Sequence, residues 1–161
     1  MMKTVAQEIL SIVDQLVPML REIATEDIAA RPAPKKWSRK EILGHLIDSA
    51  CNNQQKFVRM MQQAHLDFPG YKQDDWVDLQ QWANADWSEM IALWSSYNRH
   101  IAYLIENVNS DFLNNTITIE GTGPFTLEFV MPDYVEHLKH HLIQIFPDIE
   151  LNSKFVNVYN A

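Results

Sequence analysis

Apolar residues recur at intervals of three and four along four stretches of the chain, the spacing that one face of an α-helix produces. The predicted helices cover about 4–23, 38–64, 86–108 and 133–146. Pro18 lies inside the first helix and is expected to kink it or to remove one backbone hydrogen bond. Ser38 and Glu41 have the spacing of a capping box, which predicts the start of the second helix.

Two other regions lack this period. Residues 65–85 show no clear pattern and are predicted to form a long irregular connection, in which Tyr71 and Trp76 either cover a site or pack the loop onto the helices. Residues 116–119 and 125–129 alternate between apolar and polar on either side of a turn at 121–123, which predicts a β-hairpin. Pro132 is expected near the start of the last helix, where a missing N–H costs nothing. The tail, 148–161, carries no clear pattern.

The composition fits this reading. The chain has 161 residues, 47% hydrophobic and 21% charged, with only four glycines, which predicts one helical domain over 1–161. A net charge of −8 argues against nucleic acid and anionic membranes as partners. No apolar run reaches the roughly 18 residues of a membrane span, and the amphipathic N-terminal helix does not resemble a signal peptide, so a cytoplasmic location is expected. The single cysteine, Cys51, excludes an internal disulfide and a cysteine-based zinc ribbon.

The candidate chemistry lies in the histidines. His137 and His141 are four residues apart on the last predicted helix, so both side chains project from one face and could reach a single metal ion. His140 is rotated by about 100° from His141 and is expected to point elsewhere. Leu138 follows His137 where a zincin metalloprotease has its glutamate, which disfavours that class of enzyme. The pair alone leaves two interpretations open, a metal site or ordinary histidines at the solvent edge.

His45 lies on the second predicted helix, away from its apolar centre. It is followed at helical spacing by polar residues that continue as a ridge: Asp48, Ser49, Asn52 and Lys56. A polar ridge on a bundle helix is either a solvated face or the lining of a cleft that could hold a third ligand. Periodicity does not decide between the two.

Larger motifs add to this picture. The segment from Trp37 to Ser49, which includes Gly44-His45-Leu46-x-Asp48, resembles the second-helix motif of the DinB/YfiT-like superfamily, and His137-x-x-His140-His141-x-x-Gln144 resembles its C-terminal motif. Pro69-Gly70-Tyr71-x-x-Asp74-x-Trp76 is similar to one branch of that superfamily. The resemblance implies an all-α fold, a DinB/YfiT-like four-helix bundle with a short β-hairpin before the last helix. It also implies one divalent metal ion, zinc or nickel, bound by His45, His137 and His141. Homodimers are common in the superfamily, so a homodimer is an option here.

Three imidazole ligands leave a coordination position open, as in catalytic rather than structural zinc sites. The resemblance therefore favours a metal-dependent enzyme acting on a small molecule, either a hydrolase or an S-transferase that uses a low-molecular-weight thiol such as bacillithiol. Asp48, one turn from His45, is the candidate for an outer-shell carboxylate or a general base. It could equally be solvated, or paired with Lys56 or Arg59. The alternatives to an enzyme are a non-catalytic metal-binding or stress-related helical module, and a helical interaction protein that binds no metal.

Overall fold

The computed structural model describes residues 1–159 and confirms the predicted bundle. Its four long helices are α1 (Met2–Arg21), α3 (Arg39–Met60), α5 (Trp87–Glu106) and α6 (Leu127–Ile145). Two short helices, α2 (Thr25–Ile28) and α4 (Gln73–Leu79), lie in the connections. Three strands form one small sheet: β1 (His65–Phe68), β2 (Thr116–Ile119) and β3 (Thr122–Thr126).

The core of the bundle is apolar, and α1 packs most extensively on α5. Leu16 and Leu20 of α1 are fully buried, as are Trp94 and Ile101 of α5. Pro18 does not interrupt α1, which continues to Arg21. Because proline has no N–H, the helix lacks one backbone bond there, and the buried leucines on either side hold the last turn in place.

The predicted capping box starts α3. The Glu41 backbone N–H donates to Ser38 Oγ at 3.2 Å, and the Ser38 N–H donates to Glu41 Oε2 at 2.8 Å. The Arg31 guanidinium forms a salt bridge with the same carboxylate. The helix ends at Met60, four residues before the predicted end at 64, because the chain there turns into β1.

The hairpin of β2 and β3 is confirmed, with its turn at Glu120 and Gly121, where both residues have positive φ. The sheet has a third strand that periodicity did not predict, since β1 pairs in parallel with β2, with His65 opposite Thr116. The prediction of an irregular connection over 65–85 was therefore wrong, because this segment contains β1 and α4. β1 has only four residues, of which only Leu66 is buried, so its sequence shows too little alternation to be recognised.

The last helix begins earlier than predicted. Thr126 is its N-cap, with its hydroxyl accepting from the Phe129 N–H at 3.2 Å, so α6 starts at Leu127 and not at residue 133. The apparent alternation over 125–129 thus spans the end of β3 and the first turn of α6. Pro132 lies in the second turn, where its missing N–H removes one intrahelical bond, contrary to the expectation that it would cost nothing.

Within residues 1–159, no helix combines the length and the apolar character that crossing a bilayer requires. Beyond α6, residues 148–159 form no regular element and lie against the bundle. Ser153 Oγ donates to the Glu136 carbonyl at 2.8 Å, and Tyr159 Oη donates to Asp133 Oδ2 at 2.5 Å. The last two residues of the 148–161 tail lie outside the described part of the chain.

Candidate metal centre

The structure brings the three predicted histidines together. His45 comes from the N-terminal half of α3, and His137 and His141 come from successive turns of α6. One nitrogen of each ring lies within 4.8 Å of the corresponding nitrogens of the other two. His45 Nε2 and His137 Nε2 lie 3.4 Å apart. His45 contacts His141, whereas Phe57, further along α3, contacts Tyr134, which lies earlier in α6, so the two helices run antiparallel.

Burial keeps the three imidazoles neutral at physiological pH. His45 is fully buried, and burial, together with the nearby His141, lowers its pKa to about 3. Burial also lowers the pKa of His141 to about 4 and holds the pKa of His137 well below its ordinary value. A neutral imidazole has a free lone pair on one nitrogen, which is the form that binds a metal ion.

Neighbouring side chains orient two of the rings. His141 Nδ1 lies 3.2 Å from Gln144 Oε1, an acceptor, so that nitrogen carries the proton and Nε2 keeps a lone pair. His137 Nδ1 lies 3.3 Å from Ser49 Oγ. The buried Nδ1 of His45, by contrast, has no hydrogen-bond partner among the described residues. Gln144 is in the motif quoted above, but sequence reasoning gave it no role because its amide acts through contacts that spacing alone does not show.

His140 lies apart from the cluster, in agreement with its predicted orientation. It is exposed, and its Nε2 lies 3.1 Å from the Gln144 Nε2 donor. Gln144 thus donates to His140 while it accepts from His141. The adjacent histidine helps to fix the glutamine that orients a member of the cluster.

Asp48 is buried, which excludes the solvated alternative, and its carboxylate is held by side chains of the segment that follows α4. Gln80 Nε2 donates to Asp48 Oδ1 at 2.7 Å, and Trp82 Nε1 lies 3.2 Å from each of its carboxylate oxygens. Burial raises the pKa of Asp48, and these two donors oppose that effect. The Trp82 ring lies so close to Gly44 that a Cβ there would come within 2.3 Å of the indole. Asp48 therefore holds Trp82 against the turn of α3 that carries His45.

A cavity of about 440 Å³ opens beside the cluster. The polar ridge of α3 therefore lines a cleft and is not a solvated face, because its residues are buried or line this cavity. Tyr71 lines the cavity and packs on Trp76 with ring centroids 4.9 Å apart, so this loop aromatic both covers the site and fixes the loop. The wall also includes tail residues. Its polar and aromatic lining includes Ser49, Asn53, Lys56, Tyr71, Asp133, His137, His141, Phe155 and Tyr159.

Comparison with known protein families identifies the family to which this chain belongs. The family model described as the DinB superfamily matches residues 11–145, which include both histidine-bearing helices. The chain belongs to the DinB superfamily. The match confirms the resemblance on which the four-helix bundle and the three-histidine set were predicted.

Individual members of the superfamily are similar over most of their length. A protein of Bacillus cereus strain B4264 named "putative metal-dependent hydrolase" is 19% identical over 145 residues, which cover 90% of this chain and 83% of that protein. A protein of the same name from Bacillus anthracis strain A0248 is 21% identical over the same extent. The solved structure of YfiT from Bacillus subtilis, described as "a probable metal-dependent hydrolase with an unusual four-helix bundle topology", superposes with a TM-score of 0.80 at 19% identity. It covers 91% of this chain and 84% of YfiT, and it shows the shared fold.

The donor set fits a divalent metal ion. Ligand nitrogens about 2.1 Å from a tetrahedral ion lie roughly 3.4 Å from one another, which matches the separation of His45 Nε2 and His137 Nε2. Two of the rings have their other nitrogen directed at a polar side chain, as metal-bound histidines commonly do. The cluster and the names of the relatives together point to a divalent metal.

Proposed function

We propose that this protein is a metal-dependent enzyme that acts on a small molecule at one divalent metal ion held by His45, His137 and His141. The observation that carries the proposal is the convergence of three neutral imidazoles at the edge of a cavity large enough for a small substrate. A structural zinc site would close with a fourth protein ligand, whereas here the described residues offer three histidines and an open cavity. This arrangement favours catalysis over a purely stabilising role.

Different residues would have different roles at such a site. The three imidazoles would hold the ion, with Ser49 and Gln144 keeping the rings of His137 and His141 in their orientations. A zinc or nickel ion would supply a Lewis acid that makes bound water or a bound thiol easier to ionise at neutral pH. Asp48 serves as a positioning residue that holds Trp82 beside His45. The cavity wall excludes bulk water and orients the substrate.

Hydrolysis is the reaction that the names of the relatives favour. Transfer of a low-molecular-weight thiol to a small electrophile is the second candidate, and the hydrogen bonds of Asp48 favour it. Both oxygens of that carboxylate already accept hydrogen bonds, Oδ1 from Gln80 and both from Trp82, so they are engaged by these donors. Thiol transfer needs no carboxylate base once the thiol is ionised.

Metal analysis of the untagged protein tests the proposal. We expect about one equivalent of zinc or nickel in the wild type, measured by ICP-MS after purification without chelators, and loss of that metal in His141→Ala. His100→Ala is the matched control, because it removes an exposed histidine of α5 that is not in the cluster, and it should keep the metal. Wild-type protein that stays free of metal after incubation with zinc and nickel, or a His141→Ala variant that retains it, would contradict the proposal.

The metal-loaded protein then separates the two reactions. Ester and amide substrates are compared with small electrophiles in the presence and absence of a thiol. Turnover that requires the thiol and disappears in His141→Ala identifies a transferase, whereas turnover without thiol identifies a hydrolase.

A further inference from the structure

The cavity has two chemically different ends. Along α3 its lining residues follow one another at about one turn each, Ser49 facing His137 and Lys56 lying two turns further on. Along α6, Asp133 lies one turn before His137. Because the helices are antiparallel, Lys56 and Asp133 lie together at the end opposite His141. The rise along α3 from Ser49 to Lys56 is about 10 Å.

The ammonium group of Lys56 lies between two aromatic rings. Its Nζ is 5.7 Å from the centroid of Phe68 and 5.8 Å from that of Tyr159, distances at which an aromatic ring still attracts a cation. No hydrogen bond and no ion pair joins this Nζ to another residue in the described part of the chain. The rings thus fix the position of the ammonium and leave its three N–H donors available to the cavity.

The nearest carboxylate is already occupied. Asp133 Oδ2 accepts a hydrogen bond from Tyr159 Oη at 2.5 Å, and the carboxylate lies beyond ion-pair distance of Lys56. Burial lowers the pKa of Lys56 to about 8 and the charge of Asp133 opposes this, so the side chain stays mostly protonated at pH 7. The cavity therefore contains a positive charge that is desolvated and not directly paired, which an anionic group of a ligand would compensate.

The surrounding charges limit what that group can be. Lys56 is the only lysine or arginine of the described cavity lining, and the carboxylates there are Asp133 and, at the rim, Glu120. One ammonium can neutralise one negative charge, so it compensates a singly charged group in full, whereas a phosphate dianion would keep one uncompensated charge beside Asp133. The ligand group that fits these charges is a carboxylate.

We propose that Lys56 binds a carboxylate of the substrate and thereby places the reacting end of that molecule at the histidine cluster. This inference rests on the proposed function, since it assumes that the cavity binds the substrate. It makes Lys56 a specificity-determining residue. The substrate would be a small carboxylic acid whose reacting group lies several bonds from the carboxylate.

Residues outside the matched family segment contribute to this specificity. Tyr159 both contacts Lys56 and holds Asp133, and Phe155 packs against His137 with ring centroids 5.0 Å apart. Both lie in the tail, beyond residues 11–145. The end of the cavity that would select the substrate is thus built partly by a segment that the family model does not include.

Two metal-binding probes that differ by one carboxylate test the proposal. Acetohydroxamate and the monohydroxamate of glutaric acid share the group that binds a metal, and only the second also carries a distal carboxylate. Their Kd values are measured by calorimetry on zinc-loaded wild type, Lys56→Met and Lys154→Met. Lys154 is an exposed lysine of the tail that does not line the cavity, so Lys154→Met is the matched control.

We expect wild type and Lys154→Met to bind the carboxylate probe about tenfold more tightly than acetohydroxamate, because a charged hydrogen bond adds at least that much. Lys56→Met should bind the two probes equally, with an unchanged Kd for acetohydroxamate and an unchanged zinc content. A preference that survives in Lys56→Met, or that is absent from wild type, overturns the proposal. Lys56→Gln replaces Lys56→Met if the latter does not fold.

A failure of the proposed function would give results different from a failure of the proposal for Lys56. If neither probe binds the wild type and it takes up no zinc, the metal-dependent function fails. The role of Lys56 is then decided on the metal-free protein by titration with glutarate, followed by NMR. Shifts of the Ser49 and Asn53 amides that disappear in Lys56→Met support carboxylate binding, and the absence of shifts in wild type overturns it.

Discussion

α1 packs on α5 through apolar side chains, whereas α3 carries a row of buried polar groups towards α6. Every buried residue of α1 is apolar, and α5 buries only one polar side chain, Asn98. α3 buries six polar residues, namely Glu41, His45, Asp48, Ser49 and Asn52 together with its N-cap Ser38. One pair of helices therefore supplies stability, and the other positions chemical groups at some cost in stability.

The polar groups of α3 are tolerated because nearly all of them have partners. Glu41 is bound by Ser38 and Arg31, and the Asn52 side chain donates to the Asp48 carbonyl at 2.9 Å. The exception is His45 Nδ1, which is buried and unpaired in the described chain. Trp94 Nε1 of α5 is also buried and unpaired there, so each pair of helices contains one such group, which destabilises the fold.

The largest effect is expected where the apolar pair of helices is disturbed. Leu16 of α1 is fully buried, so Leu16→Ala should lower the free energy of unfolding by about 2–5 kcal/mol. Leu93→Ala on α5 is the control, because that leucine is 44% exposed and its loss should cost less than about 1 kcal/mol. Urea unfolding measures both. Equal losses in the two variants would contradict the view that α1 and α5 form the stabilising half of the bundle.

The folded Leu16→Ala protein should also keep its metal, which sharpens the comparison. The leucine does not line the cavity and is not part of the histidine cluster. A metal content below one equivalent in this variant, measured by ICP-MS below its unfolding transition, would show that the two halves are coupled.

The same contrast explains what the sequence could predict. α1 and α5 each have one apolar face, so their periods gave their positions to within about two residues. The capping box of Ser38 and Glu41 likewise located the start of α3. Histidine spacing with the resemblance brought His45, His137 and His141 into one predicted set, and the structure brings these residues together.

The elements that periodicity missed are those defined by their neighbours. Residues 41–50 of α3 are buried on every side, because Trp82 and the α4 segment cover the face that looked solvated. β1 forms because its backbone pairs with β2, and the sequence of its four residues does not predict this pairing. From the sequence, Lys56 is interpreted only as one more residue of the polar ridge. Its environment could not be predicted because the surrounding rings, Phe68 and Tyr159, come from other parts of the chain.

A smaller loss of stability is expected at acidic pH, and it arises from the histidines between α3 and α6. The pKa of His45 is about 3 in the folded protein and about 6.5 when unfolded, so the unfolded state binds more protons between these values. The stability of the metal-free protein should therefore fall as the pH drops below about 6.5. By pH 5 the contribution of His45 alone is about 2 kcal/mol.

Urea unfolding in EDTA at pH 7.5 and pH 5 measures this loss. His45→Gln should lose less stability than the wild type over that interval, by about 2 kcal/mol, whereas His100→Gln, at an exposed position of α5, should lose as much as the wild type. His137 and His141 contribute in the same direction, because burial lowers the pKa of both. Equal losses in wild type and His45→Gln would mean that His45 is not held neutral by burial.

The smallest effect is expected at Asp48, where it decides between a positioning residue and a base. Asp48→Asn keeps Oδ1, which accepts from both Gln80 and Trp82, so stability should fall by less than about 1 kcal/mol. Asp48→Ala leaves the half-buried Trp82 Nε1 without its acceptor, whereas the exposed Gln80 keeps its bond to the Trp76 carbonyl, and the variant should cost about 1–3 kcal/mol. Because an amide can hold Trp82 but cannot take a proton, a positioning residue predicts that Asp48→Asn keeps its metal and its turnover, while Asp48→Ala loses affinity for the ion. If Asp48→Asn instead kept metal and stability but lost kcat, the carboxylate would have to act as a base, and Trp82 and Gln80 would have to release it during the reaction.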